Sequence, residues 1–240
     1  MVLARRSGVA LWRQVQAHVE TALADGTLKP GDQIPTEAQM ADRFGVNRHT
    51  IRRAMAELED RGLIRVEQGR GSFVQEPILS YRIGQCTRFT DNVIGENRRP
   101  SRAVVDVRTL RAEGLPADAL GLRPQDTLAC VSVVSDCDGH RVSYSDHFFS
   151  ARRFPGIDDA VRAERSVTAA LRRFGIMDYR RKWTQVTARM PTARDAEWLH
   201  QNRTRPILLT ESLNVDSDGH PIEFGRSQFS SDWVQIVFEP

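Results

Sequence analysis

The stretch DCDGHRVSYSDHFF at residues 136–149 returns as DSDGHPIEFGRSQF at residues 216–229, a spacing of 80 residues. Asp136, Asp138, Gly139, His140 and Phe149 recur as Asp216, Asp218, Gly219, His220 and Phe229, while Val142 and Tyr144 become Ile222 and Phe224. An apolar run, LACVSVVS or ILLTESLNV, precedes each copy, and a short helical segment, PADALGL or ARDAEWLHQN, precedes that run. Asp-Gly between two such runs marks a tight hairpin turn. Each unit therefore reads as helix, strand, turn, strand, and two of them imply an α+β domain on an antiparallel sheet. SYRIGQCTRFTDNVIGENRRP opens this part with a strand and a helix whose apolar face holds Phe89, Val93 and Ile94. RSVTAALRRFGI at 165–176 supplies another helix.

The repeated Asp-x-Asp-Gly invites a calcium reading, but a third acidic ligand and the later glutamate of such loops are missing. A hairpin turn accounts for the motif without metal. A single histidine after each turn does not make a ligand set, so neither a metal nor a cofactor is expected. Cys86, Cys130 and Cys137 form no CxxC pair, and this sparse, odd count suits a reducing compartment. The opening MVLARRSGVALWRQVQ lacks the long apolar core of a leader, and no apolar run approaches a membrane span. A soluble, cytoplasmic protein with no membrane partner is expected. His147 follows Asp146, yet no serine–histidine–acid order or glycine-rich phosphate loop accompanies them, so no catalytic residue is assigned.

The first seventy-five residues carry a different signal. Leu11, Val15, Val19, Ala22 and Leu23 recur at helical spacing over residues 10–25. DGTLKPGDQIP then breaks the helix and leaves room for a short strand at most. Thr36 and Gln39 form a capping-box pattern ahead of Met40, Ala41 and Phe44, and Gly45 suits the left-handed position that ends a helix. Asn47 can cap the next helix, about Arg48 to Arg61, whose Ile51, Ala54, Met55 and Leu58 share one face. So short a connection forces a steep crossing, as in a helix-turn-helix.

Arg43, Arg48, Arg52 and Arg53 lie within residues 43–56 with no acid among them. The net charge of +3 is small, but a phosphate backbone feels the nearest surface rather than the total. Taken alone, arginines on a helix usually form a solvated face. Position adds meaning, since the N-terminal end of such a helix, with Arg48, His49, Thr50, Arg52 and Arg53, is what enters the major groove. The strand LIRV, the turn EQGRG and the strand SFV follow, with Arg70 between Gly69 and Gly71 at the tip of a wing. An arginine there can enter a narrow minor groove.

IPTEAQMADRFGVNRHTIRRAMAELEDRGLIRVEQGRGSFV resembles the DNA-binding domain of GntR-type bacterial transcription regulators along its length. The resemblance implies DNA contacts at Arg48, Thr50, Arg52 and Arg70. The wider candidate set is Thr36, Asn47, Arg48, His49, Thr50, Arg52, Arg53, Arg70 and Gly71. Ala38 departs from the family, many of whose members carry an operator-contacting arginine there. Domains are expected at 1–75 and 81–240 with a linker over 76–80, and the second part is nearly neutral in charge.

ADALGLRPQDTLACVSVVSDCDGHRVSYSDHFFSARRFPGI resembles the effector-binding (UTRA) domain of the HutC subfamily, which implies a chorismate-lyase-like fold: an antiparallel sheet with helices. FGVNRHTIRRAMAEL and YRIGQCTRFTDNVIGENRRPS…ADALGL are similar to PhnF-type regulators of phosphonate and phosphate uptake genes. The resemblance implies a homodimeric repressor on double-stranded DNA with an inverted-repeat operator, released by a small anionic effector. The alternatives are a repressor answering to a sugar phosphate or other metabolite, or a lyase-like enzyme. A helix start at TRFT would offer free N–H groups, making Thr87, Arg88 and Thr90 a cradle for the anion. Divergence between the repeat copies, where Ser143 faces Glu223, Asp146 faces Arg226 and His147 faces Ser227, adds Asp146, His147, Glu223, Arg226 and Ser227, and Tyr144 completes the candidate set. Residues matching Glu223 and Ser227 serve in related sites. Sugar-phosphate-binding relatives carry arginines where this chain has Ser132 and Ser135, which leaves Arg88, Arg226 or backbone groups for the anion.

Overall fold

The computed structural model describes residues 8–67, 69–76, 78–84 and 87–238. The chain divides into two compact units between residues 77 and 78. In the first, α1 (Leu11–Ala24) buries Val15 and Val19 against α2 (Glu37–Phe44) and α3 (Arg48–Asp60). The expected caps are present. The Thr36 hydroxyl accepts from the Gln39 N–H at 3.3 Å and the Gln39 side chain accepts from the Thr36 N–H at 2.8 Å. Gly45 ends α2 at φ +62, and the Asn47 side chain accepts from the Thr50 N–H at 2.8 Å. Ile51, Ala54 and Leu58 are fully buried. The broken segment does hold a strand, β1 (Gln33–Ile34). It pairs with β3 (Gly71–Val74), which pairs with β2 (Ile64–Glu67) to complete the wing.

The second unit opens with β4 (Leu79–Ile83), which begins two residues inside the expected linker and pairs in parallel with β11 (Val234–Phe238). After α4 (Phe89–Gly95) come β5 (Pro100–Arg111), α5 (Gly114–Leu120), β6 (Thr127–Cys137) and β7 (His140–Ser150). Next are α6 (Ile157–Glu164), α7 (Val167–Arg172), β8 (Arg180–Arg189), α8 (Ala193–Leu199), β9 (Ile207–Val215) and β10 (Pro221–Ser230). The main sheet runs β5-β6-β7-β10-β9-β8, antiparallel throughout. The repeat is thus larger than its turns: β5-α5-β6-β7 corresponds to β8-α8-β9-β10, and the sheet order is symmetric about its centre. Asp146 pairs with Arg226, the residue 80 positions later, so a pseudo-dyad passes between them.

Three of the four carboxylates of the Asp-x-Asp-Gly turns are engaged within the fold, those of Asp136, Asp138 and Asp216. Asp216 accepts from the Asp218 and His220 N–H groups at 3.1 and 2.8 Å and meets Arg153 at 2.5 Å. Asp138 accepts from Arg98 and the Arg99 N–H, and Asp136 from Arg141. Cys130 and Cys137 are buried thiols, and burial, then Asp146, pushes Cys130 up to about 11. Among the described residues no helix is long and apolar enough to cross a membrane.

Two helical layers cover the sheet. On one face Val131, Val133 and Phe149 pack against Ile157, Val161 and Leu171 of α6 and α7, while Phe229 packs with Tyr81, Phe89 and Val93 of β4 and α4. On the other, Phe148 and Phe224 meet Ala117 and Leu120 of α5, and Tyr144 meets Leu199 of α8.

Candidate nucleic-acid interface and ligand cavity

The N-terminal end of α3 is exposed at Arg48, His49, Arg52 and Arg53. These candidates differ in what holds them. Arg52 donates through Nε and Nη2 to the Glu37 carboxylate of α2 at 3.1 and 2.9 Å. Arg53 lies over the Trp12 ring at 4.6 Å, turned toward α1 rather than away from the unit. Thr36 and Asn47 are occupied as caps of α2 and α3. At the wing, Arg70 is 74% exposed and meets Glu67 at 2.5 Å, and Glu67 also meets Arg65 at 3.0 Å. The Gln33 amide donates to the Arg70 carbonyl at 2.9 Å. Gly71 makes this approach feasible: its φ is +117, and a Cβ there would stand 2.8 Å from the Gln33 amide nitrogen.

In the second unit a cavity of about 350 Å³ opens on the face shared by α4, β4 and α7. Thr87, Arg88, Thr90, His147, Glu223 and Ser227 line it together. Tyr144, Asp146 and Arg226 do not join them. Successive strand residues alternate between faces, so these three point to the opposite side from His147, Glu223 and Ser227. There Asp146 accepts from Ser132 at 2.5 Å, Tyr144 at 3.1 Å and Arg108 at 3.2 Å, while Arg226 donates to Glu211 at 2.8 Å. Arg226 is therefore no partner for an anion in the cavity.

Arg102, which no local motif singles out, also lines the cavity. Arg102 is the cross-strand partner of Ser135, so the neighbouring strand brings a cation beside that serine. Arg102 lies beside Phe89, and burial draws its guanidinium below its usual value, against the upward pull of Tyr81 and Glu223. Its signal in the sequence was the alternation of β5, which could not be read before the pairing of β5 with β6 was known. Arg172 and Arg181 line the cavity as well.

Hydrogen bonds within the cavity leave a distinctive remainder. His147 Nδ1 meets Glu223 Oε1 at 2.5 Å, Asn214 donates to Glu223 Oε2 at 2.8 Å, and Ser145 donates to Ser227 at 2.8 Å. The Thr87 hydroxyl is closed on Gly84. Among the described residues, Arg88 Nε, Arg102 Nε and His147 Nε2 are buried with no hydrogen-bond partner. Buried polar atoms are nearly always satisfied, and a guanidinium Nε–H can only donate, so the two arginine nitrogens suit a ligand that carries acceptors.

A winged helix-turn-helix with an arginine-bearing second helix, followed by a ligand cavity in a separate α+β unit, defines a DNA-binding transcription regulator. Residues 11–74 match the family of bacterial regulatory proteins, gntR family, and residues 95–235 match the UTRA domain. The chain belongs to the GntR family and, with its UTRA domain, to the HutC subfamily; its relatives are regulators, not enzymes. It is 34% identical to an uncharacterized HTH-type transcriptional regulator of Rhizobium meliloti, over 99% of this chain and 98% of that one. It is 28% identical to the mannosyl-D-glycerate transport/metabolism system repressor MngR of Escherichia coli, over 92% of each chain. The crystal structure of PhnF from Mycobacterium smegmatis superposes with a TM-score of 0.65 at 26% identity, covering 94% of this chain and 98% of that one.

Proposed function

We propose that this regulator is a repressor that binds an inverted-repeat operator as a homodimer and leaves it when a small anion fills the UTRA cavity. Phosphate or a phosphonate is the favoured anion, and genes for the uptake or use of such compounds are the favoured targets. The observation that carries this reading is the pair of orphaned buried nitrogens, on Arg88 and Arg102, around one cavity. The volume lies near the lower end of the range for small-molecule sites, which suits a compact ligand. Dimerisation follows from recognition geometry, because one winged helix reads only a few base pairs and two-fold symmetry doubles the contacts. A second reading is favoured by the hydroxyls and amide of Ser143, Ser145, Ser227 and Asn214, which also line the cavity. They would suit an anion carrying a sugar, and the similarity to a repressor named for mannosyl-D-glycerate supports that option.

The test is calorimetry with inorganic phosphate, methylphosphonate and glucosamine 6-phosphate on wild type and Arg102→Ala, followed by gel shifts on the upstream DNA. Binding of the small anions by wild type, lost in Arg102→Ala, together with release of DNA, supports the first reading. Preference for the sugar phosphate by about 1.4 kcal/mol, a factor of ten, would favour the second. Anion binding that leaves DNA affinity unchanged would overturn both.

A further inference from the structure

We infer that Glu37 is a positioning residue for base recognition, holding the Arg52 guanidinium so that its outer edge reads a guanine. The inference rests on the DNA-binding reading of α3 and adds a residue outside that helix. A guanidinium has five N–H groups arranged in two useful edges: one formed by Nε and one terminal nitrogen, the other by the two terminal nitrogens. Glu37 occupies the first edge, taking Nε at 3.1 Å and Nη2 at 2.9 Å. The Nη1–Nη2 edge keeps a pair of parallel donors, the pattern that matches O6 and N7 of guanine in the major groove. Arg52 stands one turn into α3 with its side chain 63% exposed, so this edge faces outward rather than into the core.

The support behind Arg52 is stiff. Glu37 is the first residue of α2, where the helix dipole favours a carboxylate, and the Thr36–Gln39 capping box fixes the backbone on which it sits. Phe44 and Met40 of the same helix are locked in the core of the unit. Ala38, beside Glu37, offers no cation to draw the carboxylate elsewhere. A long, exposed arginine is otherwise spread over many rotamers, and a bidentate partner removes that freedom before DNA arrives. The carboxylate and the base use different edges, so the pair survives docking. A phosphate on the same outer edge would instead give a loss that is equal on every sequence, because the backbone carries no base information.

The experiment uses the full-length protein and a site selected by it from random-sequence DNA. Gel-shift titrations compare wild type, Glu37→Gln, Glu37→Ala, Arg52→Ala and the Glu37→Ala/Arg52→Ala double variant. Each is measured on the selected site and on sites with each guanine replaced in turn. Thermal unfolding checks that each variant is folded. The expected result is a loss of about tenfold for both Glu37 variants on the selected site. At one guanine the loss should vanish on replacement, and the double variant should bind no more weakly than Arg52→Ala. Glu37 variants that bind as tightly as wild type, or more tightly, overturn the inference, as does an equal loss on every site. Failure of wild type to select any sequence would instead remove the DNA-binding reading, and this inference with it.

Discussion

Glu223 is a buried carboxylate at the floor of the cavity, and the groups around it decide its charge. Burial works to raise its affinity for a proton, yet the bond and the charge of His147, with the Asn214 amide, hold it below the usual 4.5. In the unfolded chain the same carboxyl takes up a proton more readily. The ionised form therefore contributes stability that is complete above the unfolded value and is lost as pH falls through the lower, folded one. The unfolding midpoint of wild type should drop more steeply than that of Glu223→Gln as pH falls below the usual 4.5, because the amide has no proton to gain. Identical slopes in the two proteins would show that Glu223 is not held ionised. The cluster also shows how a site residue hides in a sequence. Glu223 and His147 are 76 positions apart and meet only because β7 and β10 are neighbours.

At the scale of elements, strand alternation decides which arginine serves the cavity. Glu223 and Ser227 are four residues apart and share a face, whereas Arg226, three residues after Glu223, is on the other. Arg226→Ala should therefore leave anion affinity within about twofold of wild type. The loss of its partly exposed pair with Glu211 should cost at most about 1 kcal/mol of stability. Calorimetry on this variant checks the assignment, and a loss as large as that of Arg102→Ala would place Arg226 in the site after all. Much of the architecture was legible because its determinants are local. Thr36, Gly45 and Asn47 announce the ends of α2 and α3, and Asp-Gly announces both hairpins. The pairing of β7 with β10, the parallel β4–β11 ribbon and the placement of Arg102 opposite Ser135 arise from contacts distant in sequence. Propensity and periodicity carry no such information. Alternation could have separated Arg226 from Glu223, but comparison of the repeat copies weighs divergence and ignores the side of the sheet.

At the scale of the whole molecule, the chain has two compact units with separate apolar cores. One is centred on Ile51, Ala54 and Leu58, the other on the six-stranded sheet and its helices. Ligand binding stabilises only the folded unit that holds the ligand, by about 2.7 kcal/mol at a hundred times the dissociation constant. For a unit the size of the second one, that corresponds to a rise in midpoint of roughly 5–10 °C. Scanning calorimetry of the DNA-free protein should show two transitions, of which the anion raises one and leaves the other within error. Adding operator DNA should raise the second transition. Linkage then requires that a releasing anion lower it again, because the anion and the DNA oppose one another through the same coupling free energy, typically about 1–3 kcal/mol. Arg102→Ala should abolish the effect of the anion on both transitions while keeping the effect of DNA. An anion that raised the operator-bound transition further, instead of lowering it, would mean that the two ligands favour the same state. Release would then be the wrong direction for the switch.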